Sequence, residues 1–167
     1  MARFIGRFLI VLLTLFSLEL TAPVWVNVVE PFTGFIATLS AWIITHFDDS
    51  VIAYGRVISD SAKGFSISIE AGCNGVEASI VLIAAVVAYP AKWRQRLLAI
   101  ILGFLAIQVA NLARIISLFY LGQWNIDVFT WIHLYLWPVL IMLDVLLVII
   151  IFVRYMSVHP LNNELVS

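Results

Sequence analysis

The sequence predicts an all-α polytopic membrane protein, and three observations carry that reading. Of the 167 residues, 63% are hydrophobic and only 11% are charged, whereas a soluble domain averages about 45–50% apolar and about 25% charged. The mean hydropathy is +1.09, which leaves too little polar surface to cover a globule in water and makes a bilayer the natural solvent. Four apolar stretches, 8–29, 74–91, 97–121 and 131–155, are long enough, or nearly so, to cross about 30 Å of hydrocarbon at about 1.5 Å per residue. The whole of 1–167 reads as one membrane-embedded domain, so any chemistry sits in the helices or at their ends. A net charge of −1 and a pI near 6.3 argue against nucleic acid as a partner. The single cysteine, Cys73, excludes an intrachain disulfide framework and thiolate-rich metal sites.

The first span opens after Arg3 and Arg7 and is interrupted by Glu19. Its arginines and apolar run resemble a signal peptide, but no small-x-small cleavage site follows cleanly, so an uncleaved helix is expected. The next stretch, 31–46, is shorter. Pro31 brackets it on one side and Asp48 and Asp49 on the other, and it carries Thr33, Gly34, Thr38, Ser40 and Thr45, so it reads as an interfacial or re-entrant helix. Charge placement supports four spans rather than five. Arg3, Arg7, Lys92, Arg94, Arg96 and Arg154 then all lie on one side, the cytoplasmic one, together with both termini and a polar tail at 156–167.

Segment 51–70 is read as an extracytoplasmic loop or hairpin. Phe65, Ile67 and Ile69 alternate with Ser66, Ser68 and Glu70, the period of a half-buried strand. Val51 to Ile58 is its expected partner, with a turn through Ser59 to Gly64. An isolated hairpin is marginal in water, so this one must lie on helix ends or headgroups. It leads directly into Ala71, Gly72, Cys73, Asn74 and Gly75, and its expected role is to position that turn.

The informative residues are the polar ones that a bilayer penalises. Arg114 stands 18 positions past Arg96, about 27 Å along its helix. An arginine near a helix end can simply snorkel to headgroups. Here, however, Gln108, Asn111 and Arg114 fall at i, i+3 and i+6, a polar stripe expected to face the bundle interior, as interhelical glue or as a functional face. His133 lies at the same edge among Trp131, Tyr135 and Trp137. It is either one more interfacial anchor or a proton carrier.

Cys73 is flanked by Gly72 and Gly75. Cys73 or Asn74 is the expected cap of the following helix, where free N–H groups and the helix dipole stabilise a thiolate. A lone cysteine can equally pack as a small apolar residue. Glu77, four residues on, either pairs with Arg114 or raises the thiol pKa. Glu19 and Asp144 are placed deep in the first and last spans, and Asp144 is about 16 Å along the axis from His133. Three separate segments thus bring a cysteine, an arginine and a histidine to one face of the membrane. A thiolate to attack a carbonyl, a histidine to move the proton and an arginine to meet the oxyanion make a coherent site for acyl transfer or peptide cleavage.

Glu70 to Gly75 (Glu-Ala-Gly-Cys-Asn-Gly), Asn111 to Ile115 (Asn-Leu-Ala-Arg-Ile) and His133 at the start of a final helix together resemble the exosortase and archaeosortase family of membrane cysteine transpeptidases. The likeness is greatest to the compact exosortase H subgroup. The resemblance implies catalytic roles for Cys73, Arg114 and His133; Asn111, Asn74 and Glu77, from their positions, are supporting candidates. It implies no metal or organic cofactor. It also implies location in a bacterial inner membrane with a periplasmic site. The expected substrates are exported proteins with a C-terminal tripartite sorting signal, cleaved through a Cys thioester and passed to a surface nucleophile. The competing classes are a non-enzymatic membrane assembly factor and a transporter subunit. The latter is expected to carry broken helices or an inverted repeat.

Overall fold

Prolines and charges decide where the helices of this chain begin, bend and end. A computed structural model describes residues 2–158, and the expected polar tail lies, beyond Val158, outside the described residues. Helix α1 (Ala2–Glu19) stops at Glu19. Thr21 is extended, and a new helix, α2 (Ala22–Ile44), starts with a proline, Pro23, in its first turn, where a missing N–H costs nothing.

The expected boundary at Pro31 is therefore corrected. The helix runs through Pro31 by widening to a π-turn over Trp25–Val29, in which the Glu30 N–H reaches back to the Trp25 carbonyl. A proline cannot donate to the i−4 carbonyl and crowds it, and one wide turn absorbs both problems. Span 8–29 is thus replaced by a helix ending at Glu19 and a second helix covering 22–44. Glu19 moves from mid-span to a helix end.

Three strands follow. β1 (Val51–Tyr54), β2 (Val57–Asp60) and β3 (Phe65–Ser68) form an antiparallel meander in the order β1-β2-β3. The expected single strand from Val51 to Ile58 is corrected to two, because Gly55 takes a positive φ of 54° and closes a two-residue turn within it. β2 then pairs with β3 in the register Ile58 to Ile67. Below the sheet come α3 (Val76–Ala88), α4 (Trp93–Trp124) and α5 (126–158). Helix α3 ends before Tyr89, which is held extended by Pro90. Helix α5 repeats the device of α2, with a π-turn over Ile132–Leu136 directly before Trp137 and Pro138.

Three helices, Ala22–Ile44, Trp93–Trp124 and Ile126–Met156, are long and apolar enough to cross a membrane, and Val76–Ala88 is a shorter apolar helix. The chain is an all-α polytopic membrane protein with a small sheet attached. Two separate cores hold it together. In one, Ile36, Ala37, Ala41 and Ile44 of α2 pack on Val51 and Ile58 of the sheet and on Ile115 and Phe119 of α4. In the other, Leu82 and Val86 of α3 meet Ile107 of α4 and Val145 and Phe152 of α5.

Helix α4 is about 48 Å long at its 32 residues, well beyond a bilayer's hydrocarbon thickness. Its second half therefore belongs to the sheet-bearing core and its first half to the helix bundle. Lys92, Arg94 and Arg96 lie at the end of the bundle farthest from the sheet, and Arg94 lines a groove there with Phe152 and Tyr155 of α5. Helix α1 packs on α3 with Phe16 beside Gly72 and Gly75, so Arg3 and Arg7 point to the same basic end.

Candidate active site

The turn between β3 and α3 is held from both sides before any catalytic role is considered. The Ile69 N–H donates to the Arg56 carbonyl at 3.0 Å, and the Cys73 N–H donates to the Glu70 carbonyl at 3.0 Å. Arg56 and Glu70 make an exposed ion pair at 3.0 Å, worth little by itself but fixing where the chain leaves the sheet. Gly75 is the N-cap of α3, in the left-handed region at φ 79°. A Cβ there would stand 2.7 Å from Gln108 Nε2, the far end of a side chain that can give way, so it is the conformation that requires glycine.

The expectation that Cys73 or Asn74 would cap the helix is corrected accordingly. Asn74 sits one residue earlier, where its Oδ1 accepts the Val76 N–H at 3.0 Å and its Nδ2 donates to Thr33 Oγ1 at 3.0 Å. It ties the cysteine turn to α2.

Arg114 reaches this turn from α4. Its Nη1 donates to the Gly72 carbonyl at 3.1 Å and its Nη2 to Cys73 Sγ at 3.3 Å, with the side chain only 6% exposed. The planar fork meets two acceptors at once in a fixed geometry that a lysine does not reproduce. Of the two alternatives for Glu77, pairing with Arg114 is not seen among the described residues. Its carboxylate accepts the Gly72 N–H instead. Burial pushes the Cys73 thiol up from its usual range, the Arg114 charge pulls it down, and Glu77 and Glu70 add to the rise. Desolvation thus outweighs the single cation, so the site raises the thiol where the helix terminus was expected to lower it.

Gln108 and Asn111 lie on the same buried stripe as Arg114, as their spacing predicted. His133 falls within the π-turn of α5, stacked on Phe129 with ring centroids 5.5 Å apart and planes 5° from parallel. It is close enough to Arg114 to feel its charge. No hydrogen bond joins it to Cys73 or Arg114 among the described residues, and its Nδ1 is buried without a partner. The structure thus brings Cys73 and Arg114 into direct contact and leaves His133 nearby but unengaged.

A cleft of about 280 Å³ opens beside the pair, between α1, α3, α4 and α5. Gly72, Glu77, Asn111 and Arg114 supply its polar side, and Val81, Ile141, Met142 and Val145 are among its apolar walls. A larger groove of about 480 Å³ at the basic end contains none of the candidate catalytic residues and is nearly all apolar.

Two contributors to this neighbourhood escaped the sequence reading. Phe16 and Pro138 line the cleft, while Glu19, already singled out in the sequence, is buried at the end of α1 within electrostatic reach of Glu77. Pro138 left a usable signal, since a proline six residues after Ile132 in an otherwise uninterrupted apolar helix marks a wide turn upstream, the one that carries His133.

Compared with known proteins, the chain matches the family model described as transmembrane exosortase over residues 2–152. No curated protein and no solved structure matches it.

Proposed function

The chain belongs to the transmembrane exosortase family, and on that premise we propose that it is a membrane cysteine transpeptidase. It would cleave the C-terminal sorting signal of exported proteins through a Cys73 thioester. The observation that carries this reading is the Arg114 fork, which holds the Gly72 carbonyl and Cys73 Sγ together at the mouth of a cleft.

The placement in the membrane follows from the positions of the charges. Arg94 and Arg114 are 20 residues apart on one helix, about 30 Å, the thickness of the hydrocarbon layer. With Arg94 at one boundary, Arg114 and Cys73 sit at the other. The sheet and the half of α2 packed on it stand outside, where the open edges of the sheet can be hydrated. Helix α2 meets the length and composition of a span, but its buried face is committed to the sheet. We therefore assign 30–44 to the interface and give the crossings to α1, to the segment 74–91 built around the short helix α3, and to α4 and α5. The basic end then faces the cytoplasm and the cysteine the periplasm of an inner membrane.

In the proposed reaction His133 takes the Sγ proton and the sulfur attacks the scissile carbonyl carbon. The oxyanion is met by Arg114, whose Nε is buried without a partner. The C–N bond breaks as His133 returns the proton to the leaving amine. A second nucleophile displaces the sulfur from the thioester, and its own proton passes to His133 and back to the thiol. His133 must close on Cys73 when substrate binds, consistent with catalytic hydrogen bonds that tighten only in the complex.

The test is mass spectrometry of the protein co-expressed with a substrate fragment. An acyl adduct on Cys73 that hydroxylamine releases is expected. Normal substrate processing by Cys73→Ala at matched membrane levels would transfer the function to an assembly role.

A further inference from the structure

One carboxamide in the cleft has nothing bonded to it. Asn111 is 1% exposed and lines the cleft one turn below Arg114, yet neither its Oδ1 nor its Nδ2 has a partner among the described residues. Gln108, one turn further down, has an equally unpartnered carboxamide, but it is tucked against Gly75 and does not line the cleft. A buried carboxamide without hydrogen bonds is costly, and native folds rarely keep one unless something supplies the missing partners.

We propose that Asn111 receives the backbone of the substrate peptide on the leaving-group side of the scissile bond, accepting from one peptide N–H and donating to one peptide carbonyl. This rests on the transpeptidase reading and deepens it by naming where the peptide runs. Asn111 lies about 4.5 Å from Arg114 along α4 toward the basic end. The chain that continues past the scissile carbonyl therefore descends beside it, between Val81 of α3 and Ile141 and Val145 of α5. Those walls are apolar. An extended peptide there would leave its own N–H and C=O groups unpaired, which hydrocarbon does not tolerate. The carboxamide carries one donor group and one acceptor in the arrangement that a single extended residue presents. It thereby sets which carbonyl stops in front of Cys73.

The deciding variant is Asn111→Leu in the full-length protein, which keeps the volume and removes both polar atoms. Thermal unfolding in detergent should be unchanged or shifted upward, because no internal hydrogen bond is lost. Alkylation of Cys73 by iodoacetamide should proceed at the wild-type rate. Formation of the Cys73 thioester with a substrate fragment should fall by about tenfold for each hydrogen bond lost, up to about a hundredfold. A variant that unfolds or fails to insert would show that Asn111 has an internal partner and overturn the proposal. Wild-type thioester formation by Asn111→Leu would overturn it as well, while leaving the transpeptidase reading intact. Absence of thioester in the unmutated protein would sink that reading and this one with it.

Discussion

Replacing Arg114 by lysine keeps the charge and removes the geometry, which separates a catalytic arginine from one that only balances charge. The guanidinium makes two hydrogen bonds, 3.1 Å to the Gly72 carbonyl and 3.3 Å to Cys73 Sγ, from a side chain that is 6% exposed. An ammonium is one compact point charge without the rigid fork, and it is the more strongly hydrated ion, so it reproduces the pair of bonds poorly in this buried position. At least one bond is lost.

If the lost donor is the one that meets the oxyanion, the expected cost is about 10²–10³ in rate, or roughly 2.7–4 kcal/mol of transition-state stabilisation. If it is the one to Gly72, the carbonyl of that exposed residue turns to water and the cysteine turn loosens. Either loss should appear as uncleaved substrate accumulating in the membrane. The assay is the rate of substrate processing at matched membrane levels, with thermal unfolding in detergent recorded for the same samples. Processing within a few-fold of wild type by Arg114→Lys would refute the argument, because charge alone would then suffice.

Three other outcomes are expected. His133→Phe keeps an aromatic ring to stack on Phe129 and removes the proton carrier, so processing should fall by about 10²–10⁴ while the protein stays folded; near-normal processing would reduce His133 to an interfacial anchor. Glu77→Gln leaves a carbonyl to accept the Gly72 N–H but deletes a negative charge that raises the Cys73 thiol, so the thiol's titration moves down in pH and alkylation by iodoacetamide at neutral pH becomes faster; a slower reaction would contradict the electrostatics assigned to the turn. In a Cys73→Ala background, an impermeant maleimide applied outside intact spheroplasts should label Ser61→Cys on the sheet and spare Arg94→Cys at the basic end, and the reverse pattern would invert the proposed orientation.

Much of the site was legible from local spacing. The interval of three between Gln108, Asn111 and Arg114 places them on one helical face whatever surrounds the helix, and a polar face in an apolar chain turns inward. Glycines on either side of Cys73 and Asn74 announce a turn, and the alternation of Phe65, Ile67 and Ile69 announces a strand. Helix boundaries were less legible. Pro31 reads as a terminus and Pro138 as an ordinary residue of a span, yet each is passed by a π-turn. Whether a proline ends a helix depends on whether neighbouring packing rewards continuing it, and that reward lies outside the local sequence. The same holds for Val51 to Ile58, where one glycine with positive φ converts a strand into a hairpin.

The sequence by itself determined the solvent, the class of fold, the stripe that carries Arg114 and the turn that carries Cys73. All of these follow from composition and from periodicities of a few residues. Only the tertiary structure decided that Arg114 grips Gly72 and Cys73 together, that Glu77 serves the turn and not the arginine, and that burial raises the Cys73 thiol. Those outcomes depend on distances between residues about 40 positions apart and on how much water the packed helices leave around a sulfur. No spacing along the chain encodes them, because hydrogen bonding and desolvation are set by what the other segments bring to the same place.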